Sequence, residues 1–188
     1  MMLAGGRLHG VLRYPDPPPG DGVITLRPKG RGDVDALVAA CQDPEISRWT
    51  RVPQPYGPED ALGWIAGSDL ELAAGRAIHW IAVDSEDRLL ASVSVMEIDR
   101  EAGTGEIGYW VTPEARRRGV AKRAVALAYD WAVREQGLTT VEITVHEDNA
   151  PSLAVAHACG FVRTGERAAP PREGLPEGRY LVHHRRAD

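Results

Sequence analysis

Glu106-Ile-Gly-Tyr-Trp-Val-Thr-Pro-Glu-Ala-Arg-Arg-Arg-Gly-Val-Ala121 is the stretch on which the fold turns. Ile107, Tyr109 and Val111 fall on one face of an extended segment, and their β-branched and aromatic side chains suit a sheet. Pro113 ends that strand. The arginine run Arg116–Arg118 and Gly119 then open a helix, in which Ala121, Ala124, Val125, Ala128 and Ala132 form one apolar stripe. Alanine and arginine are strong helix formers. The first amides of a helix have no partner inside it, and the helix dipole adds partial positive charge there. A glycine at that point lets an anion approach the backbone closely. The junction is therefore expected to hold a phosphate or pyrophosphate. By itself the turn reads equally as a solvated basic cap. It is neither a Walker loop, since no Gly-Lys-Ser/Thr follows, nor a dinucleotide fingerprint, since the G-x-G-x-x-G spacing is missing.

The surroundings narrow the choice. The chain has 188 residues, 43% of them hydrophobic and 26% charged, which suits one globular domain with a substantial core. A net charge of −5 argues against general affinity for nucleic acid, so three adjacent arginines point to a local anion site. Cys41 and Cys159 lack metal-type spacing and are expected to be free thiols in a reduced, cytoplasmic setting. No signal peptide and no membrane-spanning apolar run is expected.

Outward from the junction, residues 1–22 read as a Pro/Gly-rich N-terminal arm and residues 23–188 as one domain. Val23–Arg27 is expected to be a strand, followed by a helix from Asp33 to Ala40 and a short turn at Asp43. A proline-punctuated loop spans Trp49–Tyr56, and a helix opens at Pro58. Ala77–Asp84 and Leu89–Glu97 form a hairpin leading to the central strand. The long helix stops at Gly137. Thr140–His146 is an alternating strand, Asp148–Cys159 a helix, and Phe161–Arg167 and Arg179–His183 the closing strands around a loop at Pro170–Gly178. This order predicts an α+β (mixed α/β) domain: a mixed sheet of about seven strands, mostly antiparallel, with helices on both faces.

Three motifs lie in a telling order: Ile24-Thr-Leu-Arg-Pro28, the Arg-x-x-Gly-x-Ala of Arg116, Gly119 and Ala121, and Asn149-x-x-Ser152 with Cys159-Gly-Phe161. The second resembles the pyrophosphate loop of the GNAT-type acyl-CoA N-acetyltransferases. Glu106–Val111 resembles the branch containing the ribosomal-protein-alanine N-acetyltransferases. The resemblance spans about residues 23–185. It implies acetyl-CoA as donor, with its pyrophosphate on the backbone amides of Arg117, Arg118, Gly119, Val120, Ala121 and Lys122, beside Arg116. It also implies a splayed strand pair, Glu106–Val111 against Thr140–His146, with the pantetheine on the free edge at Tyr109, Trp110 and Val111. Asn149 would contact the pantetheine arm, or serve as a helix cap, or both.

The implied chemistry needs an amine free of its proton. Free amines titrate near about 8 for an α-amino group and about 10.4 for lysine. Many relatives place a tyrosine seven residues after the asparagine to protonate the departing thiol. Here that position is Ala156, and the resemblance points to Ser152 instead, with a helix-cap role as the alternative. A glutamate found in one subfamily is Thr144 here. Glu106 and Glu97 remain as candidate bases. Glu106 shares a strand face with Gly108, which is expected to leave open space for an acceptor. His146 is a further candidate. His183 and His184 lack metal-type spacing, and no metal is expected. The acceptor is read as a protein or peptide N-terminal amine, with aminoglycoside-like small amines or a silent acyl-CoA-binding domain as alternatives. No nucleic-acid or membrane partner is expected, and a homodimer is left open.

Overall fold

The computed structural model describes residues 12–170 and 172–187. In chain order the elements are β1 (Thr25–Pro28), α1 (Val34–Cys41), α2 (Pro44–Trp49), α3 (Pro58–Ala73), β2 (Ile78–Val83), β3 (Leu89–Asp99), β4 (Thr104–Val111), α4 (Val120–Arg134), β5 (Thr140–His146), α5 (Ala150–Ala158), β6 (Val162–Arg167) and β7 (Tyr180–Arg186). Single 3-10 turns precede α1 and follow β4. The seven strands make one sheet in the order β1-β2-β3-β4-β5-β7-β6.

All neighbours are antiparallel except β4 and β5, and that exception opens the sheet. β4 meets β5 only through Thr104↔Thr140, Gly105↔Val141 and Glu106↔Glu142. Beyond Glu106, β4 stays paired with β3 as far as Val111, and β5 stays paired with β7 as far as His146. The two halves of the sheet therefore diverge, and the splayed pair expected from the resemblance is present.

Alternation along the strands sorts side chains to two faces. Ile78, Trp80, Val93, Val95, Ile107, Val141 and Ile143 pack with Val120, Ala124, Val125 and Ala128 of α4 and with Ala156 of α5. On the other face Ile81 and Val83 pack with Leu37, Cys41 and Ala61 of α1 and α3. α4 begins at Val120, as the helical pattern predicts, and Val120 is buried while Ala121 of the expected stripe is half-buried. β1 starts at Thr25 because the Asp21 carboxylate accepts the amides of Val23 and Ile24 at 2.9 and 3.0 Å and holds them in a turn. From Leu12 onward the stretch read as an arm packs on the domain. Leu12 joins the core, and the Tyr14 hydroxyl donates to the carbonyl of His79 at 2.9 Å. Residues 1–11 of that arm lie outside the described residues.

Candidate active site

The turn before α4 curls through two left-handed residues, Arg117 (φ 59°) and Gly119 (φ 76°). Gly119 is the N-cap and supplies no side-chain cap. Among the described residues, no amide from Arg117 to Lys122 donates to a backbone carbonyl; the first such bond is from Arg123 to the Gly119 carbonyl. A concave row of free amides at a helix start is an anion cradle. A Cβ at Gly119 would meet no heavy atom within 4 Å, so the cradle is open. Arg116 has another task. Its guanidinium grips the Asp43 carboxylate at 2.9 and 3.1 Å, and Asp43 also caps α2. Arg116 thus fastens α2 to the turn, while the side chains of Arg117 and Arg118 stay exposed.

The cradle leads into the gap between β4 and β5. There, among the described residues, the outer edge of Ile107–Val111 has no strand partner, which leaves its backbone groups able to pair with amides of a ligand. At the mouth of α5, Asn149 accepts the Ser152 amide at 3.2 Å, so the cap is real, and its side-chain NH2 has no acceptor among the described residues. Ser152 Oγ lies 2.8 Å from the Tyr109 hydroxyl. Tyr109 therefore brings more than a strand edge. Its phenol reaches from β4 to Ser152 at the start of α5. Burial pushes its pKa up to about 12, against the pull of the Ser152 hydrogen bond, so it stays protonated. That partnership was not legible in the motif, because it joins residues on different elements.

On the α1–α3 side of the sheet the gap opens into a cavity of about 670 Å³, lined by Trp49, Tyr56, Trp64, Met96, Trp110 and polar groups. Glu106 borders it, but the premise of open space beside it fails. A Cβ on Gly108 would stand 2.8 Å from the Met96 methyl, so methionine fills that place. Both oxygens of Glu106 are held by Arg172 at 2.9 and 2.6 Å, and Arg172 also reaches Glu97 at 2.8 Å. As a pair, Glu106 and Glu97 clamp the β6–β7 loop over the cavity. No sequence pattern announced Arg172, which is 66 residues from Glu106.

His146 also borders the cavity, but both ring nitrogens are engaged. Nδ1 accepts the Asp148 amide at 3.1 Å, which leaves the proton on Nε2, 3.1 Å from the Glu177 carbonyl. Its lone pair is unavailable to a substrate. His184 bonds Glu142 at 3.0 Å and His183 faces the Leu181 carbonyl. A polar line on β2 and β3 completes the wall: Ser94, His79 and, behind them, Glu71 of α3.

The family model described as an acetyltransferase (GNAT) domain matches residues 24–162. The chain belongs to the GNAT acetyltransferases. It is an acetyl-CoA-dependent acyltransferase, and its amide cradle, free strand edge and hydroxyl pair fit an acyl-CoA. Among curated relatives, the uncharacterized N-acetyltransferase p20 of Bacillus licheniformis is 27% identical over 143 residues, covering 76% of this chain and 80% of that protein. The ribosomal-protein-S5-alanine acetyltransferase of Vibrio fischeri shares the fold with a TM-score of 0.78 at 20% identity, covering 90% of this chain and 96% of that one. A spermidine N-acetyltransferase from Vibrio cholerae, solved with CoA and spermine, has a TM-score of 0.75 at 16% identity, covering 88% and 96%. No helix among the described residues is long and apolar enough to cross a membrane.

Proposed function

We propose that the protein acetylates the N-terminal α-amine of a protein or peptide by direct attack in a ternary complex. The carrying observation is the meeting of two approaches at one point. The gap between β4 and β5 admits the donor along the strand edge, and the cavity on the α1–α3 side admits the acceptor beside Tyr109 and Ser152. The donor supplies the acetyl group as a thioester and leaves as a thiol. The amides of Arg117–Lys122 would hold its pyrophosphate, and the Tyr109–Val111 edge and Asn149 its pantetheine. Ser152 would give its proton to the departing sulfur, and the Tyr109 hydroxyl, 2.8 Å behind it, would then donate to Ser152.

Charge favours a monocationic acceptor. The cavity is lined by three carboxylates, Glu59, Asp60 and Glu106, against two guanidiniums, Arg51 and Arg172, and Glu106 is paired with Arg172. A polycation such as an aminoglycoside or spermine would want a larger acidic excess. Trp49, Trp64 and Trp110 suit the side chains of a peptide end. The likeness to a ribosomal-protein acetyltransferase supports this acceptor, and the likeness to a spermidine acetyltransferase supports the small-amine alternative. Buried, unpaired Cys41 and Cys159 suit a reducing cytoplasm. Thiol release should be measured with N-terminal peptides, polyamines and aminoglycosides, and the product mapped by mass spectrometry. Acetylated peptide α-amines are expected; preferential turnover of a polyamine or aminoglycoside would replace this acceptor.

A further inference from the structure

The transfer reading leaves one step without a residue: removal of the proton that an α-amine carries at neutral pH. Glu106 is held by Arg172, and both nitrogens of His146 are engaged. The β2–β3 wall of the cavity offers another group. His79 and Ser94 are register partners. Ser94 Oγ lies 2.7 Å from His79 Nδ1, and His79 Nε2 lies 2.7 Å from Glu71 Oε2. Ser94 and His79 are 7% and 6% exposed and border the cavity, whereas the Glu71 side chain is 45% exposed. Ser94 also pairs in register with Gly108, next to Tyr109, so it faces the part of β4 where the two substrates meet. A carboxylate only accepts, so Nε2 carries the ring proton and Nδ1 accepts the serine hydroxyl.

We propose that Ser94 and His79, oriented by Glu71, take the proton from the acceptor amine. This rests on the N-acetyltransferase reading of the same cavity. One ammonium N–H bond breaks, and its proton passes to Ser94 Oγ directly or through one water. The Ser94 hydroxyl proton moves to His79 Nδ1, giving an imidazolium paired with the Glu71 carboxylate. After product leaves, Nδ1 returns its proton through Ser94 to water, which restores the resting state. Glu71 is a positioning residue, since it fixes the tautomer without reaching the cavity.

The charged groups around His79 are Glu71 from α3, Lys29 after β1 and Arg51 from the loop between α2 and α3. Burial, then Lys29, holds the imidazole below its ordinary value, while Glu71 pulls the other way. The ring is therefore neutral and able to accept a proton at neutral pH.

The test is the pH–rate profile of wild type, Ser94→Ala, His79→Gln and Glu71→Gln with the best amine. Near neutral pH, Ser94→Ala and His79→Gln should lose about 10²-fold in kcat. Glu71→Gln, which still accepts from Nε2, should lose about tenfold. The losses should shrink above the acceptor's own pKa, about 8 for an α-amine, with acetyl-CoA affinity unchanged throughout. Nitrogen-15 spectra of wild-type histidines, assigned by subtracting His79→Gln, should show a neutral Nε2–H ring at pH 7. Parallel profiles in active enzymes, or a ring that is cationic or protonated on Nδ1, overturn the path alone. A wild-type enzyme inactive towards every amine overturns the transfer reading and the path with it.

Discussion

The cap role of Ser152 and the acid role proposed for it compete for no atom. Its amide satisfies the Asn149 cap, and its hydroxyl meets Tyr109. Cap and acid are therefore compatible, and the side chain can be altered without touching the cap. Ser152→Ala is expected to lower turnover by roughly 10- to 10³-fold, the range of a lost general acid, with acetyl-CoA affinity little changed by calorimetry. Because burial keeps Tyr109 protonated up to about 12, ionisation of this tyrosine should not bend the pH–rate profile in the assay range. A fully active Ser152→Ala enzyme would remove the serine from the proton path. The same scale explains Glu106 and Glu97. A carboxylate in sequence is an unspecified partner for any cation, and Arg172 claims both.

At the scale of elements, the turn between β4 and α4 is the unit proposed to hold the pyrophosphate. Its amides are free because the chain passes through two left-handed residues and starts α4 without a side-chain cap. Gly119→Val tests it. A Cβ there meets no neighbouring atom, so the cost is backbone strain at a φ of 76°. Such strain costs about 1–3 kcal/mol, borne locally where the chain must curl. Calorimetry should show acetyl-CoA affinity reduced at least about 100-fold, about 2.8 kcal/mol, with the helical circular dichroism of the wild type retained. Unchanged affinity would place the pyrophosphate elsewhere.

At the scale of the whole molecule, stability should carry the mark of Lys29. It is 7% exposed, with Nζ 4.0 Å above the Trp64 ring, and burial lowers its pKa to about 7 against the pull of Asp69, Glu71 and Asp33. The sign follows from proton counting. Between about 7 and its unfolded value of about 10.4, the unfolded chain binds the proton and the folded chain does not, so this group makes stability rise with pH. The window is clean up to about pH 7.5; from there the two buried thiols, whose pKa values are raised, increasingly oppose it as their unfolded counterparts ionise towards about 8.5. Lys29→Met should flatten the rise of Tm between pH 7 and that limit and raise Tm at pH 7. An identical slope in both proteins would place the buried charge elsewhere.

Much of this protein is written locally. The alternation in Glu106–Val111, the apolar stripe of α4 and the glycine stops at 137 and 160 are properties of short windows, because a strand repeats every two residues and a helix every 3.6. The strand–turn–helix junction, the Asn149 cap and the order of elements were therefore legible, and these are the elements on which the proposed donor side rests. The acceptor side was not. Ser152 meets Tyr109 across 43 residues, Arg172 meets Glu106 across 66, and Ser94 meets His79 across 15. Leu12, in a stretch whose composition reads as a loose arm, enters the core. Pairings of that kind depend on register, on the divergence of β4 from β5 and on the packing of α3 against the sheet. Those are settled only when the two faces close on their cores, since a side chain's hydrogen-bond partner is chosen by which atoms the closed fold brings within 3 Å.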